Sequence, residues 1–147
     1  MLQPHSVSNR EQVVDTMVEL TRLSSLHRAI VAGNGSLELY LALRRRGFLR
    51  VATTATCRIP KGQHAVGLIT GQNSLQAIEA ALTEISQFLG ASATIAVLID
   101  SREGGFSLRI RAKLEQMGFR IEAGVRCPQG FVLSAVRQGF IQMQSAA

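Results

Sequence analysis

Several residue types are scarce in this chain, and each shortage excludes something. There are two cysteines, Cys57 and Cys127, far apart and with no C-x-x-C pair. That is not the framework of a disulfide-stapled secreted domain, and it lacks zinc or redox spacing. The two thiols could still pair with each other, but the expectation is reduced cysteines in a cytoplasmic protein. Tryptophan is absent and tyrosine occurs once, so no aromatic series alternates with basic residues as a stacking platform for nucleobases. The longest apolar run, 93–99, is far too short to span a bilayer. Residues 1–12 are polar and contain no apolar signal core. No membrane is expected as a partner. The three histidines, His5, His27 and His64, have no companion at metal-binding or catalytic spacing. No metal site is expected, and no catalytic residue can be named. There is no internal repeat and no low-complexity segment.

What is present is a globular composition, 46% hydrophobic and 18% charged over 147 residues. That length suits one domain with its own core, 1–147. The net charge is +6 and arginine supplies most of the positive side, which raises nucleic acid as a partner.

The organising stretch is a short apolar run, 29–32, that meets Gly33, Asn34, Gly35 and Ser36 and passes into a helical pattern over 37–46. A strand, a tight glycine turn and a helix are the unit on which nucleotides sit in parallel α/β sheets. Ahead of it, Ser8 and Glu11 have capping-box spacing, and the apolar period then predicts a helix over 8–25. After it, 50–56 reads as a strand, 57–63 as a loop with Pro60 and Gly62, and 64–70 as a third strand. A turn at 71–74 opens a helix that Gly90 would close. The run 93–99 is the most buried-looking strand, and 107–117 is a helix stopped by Gly118. Residues 119–125 alternate apolar with polar, turn at 127–130 and return over 131–136, which predicts an antiparallel hairpin. Residues 138–147 read as a tail. The fold class is therefore α/β: three layers around a mostly parallel sheet with a C-terminal antiparallel hairpin.

The order of these segments resembles the class I S-adenosylmethionine-dependent methyltransferases, with the closing helix, Gly118-Phe119 and hairpin as its most distinctive part. The resemblance implies a Rossmann-like methyltransferase-type fold that lacks some strands and helices, because 57–63 leaves no room for the family's third strand and its neighbours. It also implies an S-adenosylmethionine crevice lined by Gly33, Asn34, Gly35, Ser36, Thr54, Ala55, Gly71 and Gln72. Two acidic ligands of that family are missing. Val31 stands two positions before the first glycine, where the family has an acid. Ala55 stands at the end of the second strand, where the family has the acid that holds the ribose hydroxyls. A dinucleotide-binding fingerprint fits less well, since its third glycine would fall on Glu38.

Three functions follow as expectations. The first is a reduced, non-catalytic methyltransferase-like module for binding or assembly, with a small nucleoside-type ligand and S-adenosylmethionine bound weakly or not at all. The second is an active small methyltransferase, since methyl transfer can run on proximity and orientation. The third is nonspecific nucleic-acid binding; the helices bearing 44–46 and 109–113 are expected on opposite faces of the sheet, which disperses the charge. The strand 50–56 has one charge, at its start, and no proline. It is expected to pair with itself in a homodimer.

Overall fold

The computed structural model describes residues 4–70, 74–99, 104–128 and 130–138. Among these residues four helices and six strands follow in the order α1 (Pro4–Thr21), β1 (Ala29–Gly33), α2 (Ser36–Arg45), β2 (Val51–Thr53), β3 (His64–Thr70), α3 (Leu75–Ser86), β4 (Leu89–Ile99), α4 (Gly104–Gln116), β5 (Phe119–Cys127) and β6 (Gly130–Arg137). The strands form one sheet in the order β2-β1-β3-β4-β6-β5. The first four run parallel, and β6 lies antiparallel between β4 and β5. The α/β class, the parallel sheet and the closing hairpin all match the reading from sequence.

Alternation along the strands divides the core in two. Ile30, Ile69, Ile95 and Val97 point to the face covered by α3 and α4, where Ile78, Leu82, Ile110 and Leu114 complete one cluster. Val31, Leu68, Ala96 and Leu98 point to the face covered by α1 and α2, with Val14, Met17, Leu39 and Leu43. Both faces of the central strands are buried, as parallel strands require. On β3, Gly67 sets how closely α3 approaches: a Cβ there would lie 3.2–3.3 Å from Leu89 and Ile85 side-chain atoms.

Three elements differ most from the expectation. The first helix begins at Pro4, ahead of the Ser8 capping box, and ends at Thr21 instead of near 25. Proline suits the first turn of a helix, where its missing N–H has no intrahelical partner. The helix stops because Arg22 takes a left-handed φ of 55°. Its N–H donates to the Glu19 carbonyl and that of Leu23 to Val18, the paired bonds of a Schellman ending. The fourth strand starts at Leu89, so Gly90 lies within it and does not close the helix; the β3–β4 register shifts between His64 and Val66 to absorb the extra length. The second strand is Val51–Thr53, not 50–56. Its shortness leaves 54–63 to return from β2, pass β1 and enter β3 without a helix. The expected tail, 138–147, lies outside the described residues except for Gln138, whose N–H donates to the Gly118 carbonyl at 2.8 Å.

Two arginines tie elements together. Arg46 pairs with Glu11 and Asp15, one turn apart on α1, and so fastens α2 to α1. Arg137 on β6 donates to the carbonyls of Ser86 at 3.1 Å and Leu89 at 2.8 Å. Its guanidinium also lies 5.0 Å from the centre of the Phe119 ring. A cation at the carboxyl end of α3 is placed where the helix dipole favours it.

Candidate ligand crevice

The carboxyl ends of β1, β2 and β3 lie side by side, with Gly33 opposite Thr70 and Val31 opposite Thr53. Gly33 turns the chain out of β1 at a φ of 110°, a conformation that side chains resist. Asn34 and Gly35 follow, and α2 opens at Ser36. Gly35 is the N-cap at φ −95° and no side chain caps the helix. A Cβ at Gly35 would sit 3.5 Å from Thr70 Cγ2, an ordinary contact. So the turn needs its first glycine by conformation, and the second is not required by space or by φ. The structure brings Gly33 and Gly35 against the end of β3 at Thr70, with Asn34 between them and Ser36 opening α2.

The second expected wall is different. Thr54 continues beside β1, its N–H donating to the Val31 carbonyl at 3.1 Å. Ala55 is exposed in the turn beyond the strand. Because β2 ends at Thr53, the end-of-strand position falls on Thr53 and Thr54, not on Ala55. The threonine hydroxyls here serve the turn itself. Thr53 Oγ1 and Thr56 Oγ1 lie 2.9 Å apart, the Thr53 N–H donates to Thr56 Oγ1 at 3.4 Å, and the Thr56 N–H reaches the Thr53 carbonyl at 3.2 Å. Val31 is fully buried on the α1–α2 face, so that position belongs to the core.

Gly71 and Gln72, and with them Asn73, Asp100, Arg102 and Glu103, lie outside the described residues. Ser74 is a helix cap, its Oγ accepting from the Ala77 N–H at 3.1 Å. Among the described residues no group of three or more His, Cys, Asp or Glu side chains could hold a metal ion.

The fold also joins two residues that the sequence offered no motif to join. Both cysteines are free thiols. Cys57, in the bare crossing segment, places Sγ 3.8 Å from His64 Nε2. His64 Nδ1 lies 3.3 Å from the Phe88 carbonyl. With Nδ1–H donating to that carbonyl, Nε2 faces the sulfur as an acceptor, and the one thiol proton is shared between it and the Ile59 carbonyl, 3.7 Å from Sγ. Burial lowers the His64 pKa; the Phe88 carbonyl acts against this and the charge of Arg28 adds to it. The imidazole, kept neutral by its burial, and the Cys57 sulfur therefore staple the crossing segment to the start of β3, at the opposite end from the crevice.

The strand order decides the fold: an antiparallel last strand inserted beside a parallel run, after alternating helices. The chain has a class I methyltransferase-like fold, reduced in size. It is similar over 94% of both chains to a solved protein-(glutamine-N5) methyltransferase, release factor-specific, from Alicyclobacillus acidocaldarius, at 17% identity and a TM-score of 0.55. A precorrin-6y C5,15-methyltransferase from Geobacter metallireducens covers 87% of this chain and is itself covered to 88%, at 13% identity and a TM-score of 0.60. A putative hemolysin from Lactococcus lactis matches as well, covering 86% of each chain at 12% identity and a TM-score of 0.60. At such identities the likeness is one of fold. No family model matches the sequence, and no curated protein matches it. Within this methyltransferase-like frame, β2 is the outermost strand, and no helix lies between it and β3.

Proposed function

We propose that this methyltransferase-like domain is a non-catalytic binding or assembly module. One observation carries the reading: no carboxylate stands at the last residues of β1 and β2 or in the turns that follow them, 33–35 and 53–56, and the nearest acid, Glu38, sits in the first turn of α2. A ribose diol is held tightly by a bidentate carboxylate. Val31 is core, Ala55 has no polar group, and the Thr53 and Thr56 hydroxyls bond each other. The donor set does not fit an adenosyl group at these two positions. The Gly33 turn still supports a small nucleoside-type ligand held from one side. Titration calorimetry with S-adenosylmethionine and S-adenosylhomocysteine tests the proposal. The expected result is no heat, or binding in the millimolar range. A dissociation constant near a micromolar, about −8 kcal/mol, would replace it with the active-methyltransferase reading.

Assembly is proposed through the β2 edge of two copies. By the alternation of a parallel ladder, Val51 and Thr53 present their backbone groups outward. Those of Thr53 are already taken by Thr56. The proposed pairing is thus short, and Thr56 limits it. Light scattering should show Thr56→Ala more associated than the wild type and Thr53→Pro less so. Indifference to both changes would remove this edge as the interface.

A further inference from the structure

The opposite end of the sheet carries a surface that the crevice does not explain. Arg28 and Arg50 precede β1 and β2, which pair from Ala29 and Val51 onward, so the two residues enter the sheet on neighbouring strands. Arg44 and Arg45 close α2 at the same end. Arg44 Nη1 lies 3.4 Å from the Leu49 carbonyl, and Arg50 Nη1 lies 3.4 Å from the Leu26 carbonyl. These contacts gather the loop before β1 and the loop before β2 into one rim. Among the described residues, no carboxylate forms an ion pair with any of the four arginines. Leu26 is 76% exposed and Leu49 62% exposed on that rim. A leucine so exposed adds little to the core, and here two of them stand among guanidinium groups that have no carboxylate partner among the described residues.

Guanidinium binds phosphate through a planar fork of donors. Leucine gains free energy only where it leaves water. A surface that rewards both is the boundary between phosphate headgroups and acyl chains. A nucleic acid would meet the arginines but give the leucines nothing, and the aromatic rings near the rim, Tyr40 and Phe48, are packed partly into the α1–α2 face, with Arg44 already lying 5.7 Å from the centre of the Tyr40 ring. We propose that the amino end of the sheet docks peripherally on an anionic lipid bilayer, with Leu26 and Leu49 entering the acyl boundary and the arginines on headgroup phosphates. Among the described residues no helix is long and apolar enough to cross a membrane, so the contact is one of surface docking. The carboxyl-end crevice would then face away from the lipid.

Co-sedimentation of the full chain with phosphatidylcholine vesicles, with and without phosphatidylglycerol, tests this. Binding is expected only to the anionic vesicles and should weaken as salt is raised. The exposed pair Leu26→Ser with Leu49→Ser should reduce it by about tenfold. Arg45→Gln and Arg50→Gln should each reduce it by about fivefold. Circular dichroism checks that each variant is folded. Failure of the wild type to sediment with anionic vesicles overturns the proposal, and so does binding indifferent to the leucine pair. Duplex RNA bound equally by wild type and leucine pair, without vesicle binding, would assign the rim to nucleic acid instead.

Discussion

The two edges of this sheet end it in opposite ways. On one side β5 and β6 run for nine and eight residues and pair along almost their whole length. They are joined by a short turn, covered by α4 and α1, and tied to α3 through Arg137. On the other side β2 has three residues. Beyond Thr53 the backbone bonds to its own turn, and the chain then crosses to β3 without a helix. The hairpin carries its register in its own local contacts. The β2 edge depends on what surrounds it: α2 on one face, the Thr53–Thr56 turn at its end, and the Cys57–His64 contact beneath. A fold can lose elements at the second kind of edge and still close.

Core truncations should separate the two sides most strongly. Leu133→Ala on β6 removes a fully buried side chain and should cost about 3 kcal/mol. Val51→Ala on β2 should cost about 1.5 kcal/mol by the smaller loss of buried hydrocarbon. Urea midpoints at constant m-value measure both, and equal losses would break the comparison. Next in size is the glycine turn beside β2. Gly33→Ala forces alanine to a φ of 110° and should cost about 1–2 kcal/mol, while Gly35→Ala, at φ −95°, loses only the N-cap preference for glycine over alanine, about 0.5–1 kcal/mol. A large loss at Gly35 would mean that the turn is constrained in some other way.

The smallest effect should come from acid. The folded state holds His64 below its ordinary pKa of 6.5. Above 6.5 the imidazole is neutral in both folded and unfolded chains, and stability does not change with pH on its account. As pH falls below 6.5 the unfolded chain takes up the proton first, so stability is lost until the folded pKa is reached. Hydrogen exchange should therefore rise in 54–63 before it rises in β5 and β6. His64→Gln should flatten that slope; a slope unchanged by the substitution would place its source elsewhere.

The elements that were legible in the sequence are those with a local cause. Alternation over 119–125 and the return after Pro128 gave the hairpin, and the glycines at 33 and 118 gave the turns beside them. The length of β2 was not legible, because 50–56 is rich in strand formers throughout. It stops at Thr53 because Thr56 bonds back to that residue, a choice that propensity does not encode. The end of α1 was missed for a similar reason, since an arginine occupies a left-handed position that usually selects glycine. At the candidate site the glycine turn was readable from residue types. The closed threonine pair and the Cys57–His64 staple were not, because each depends on where β2 stops and how the chain crosses. The missing acids at Val31 and Ala55 could be seen directly, but only the fold showed that Val31 is core and Ala55 lies past the strand.

The place of β6 in the sheet bears on how this chain is made. Among the described residues it is the last strand in sequence, yet it lies between β4 and β5. During synthesis β4 therefore leaves the ribosome with an open flank, and β5 follows with no partner beside it. Neither can be satisfied until residues 130–137 emerge, at roughly 5–20 residues per second. Until then the apolar flank of β4, from Ala93 to Ile99, remains available to other chains. A slow codon or a stop before Gly130 would leave a nascent chain that has all four described helices and cannot close its sheet.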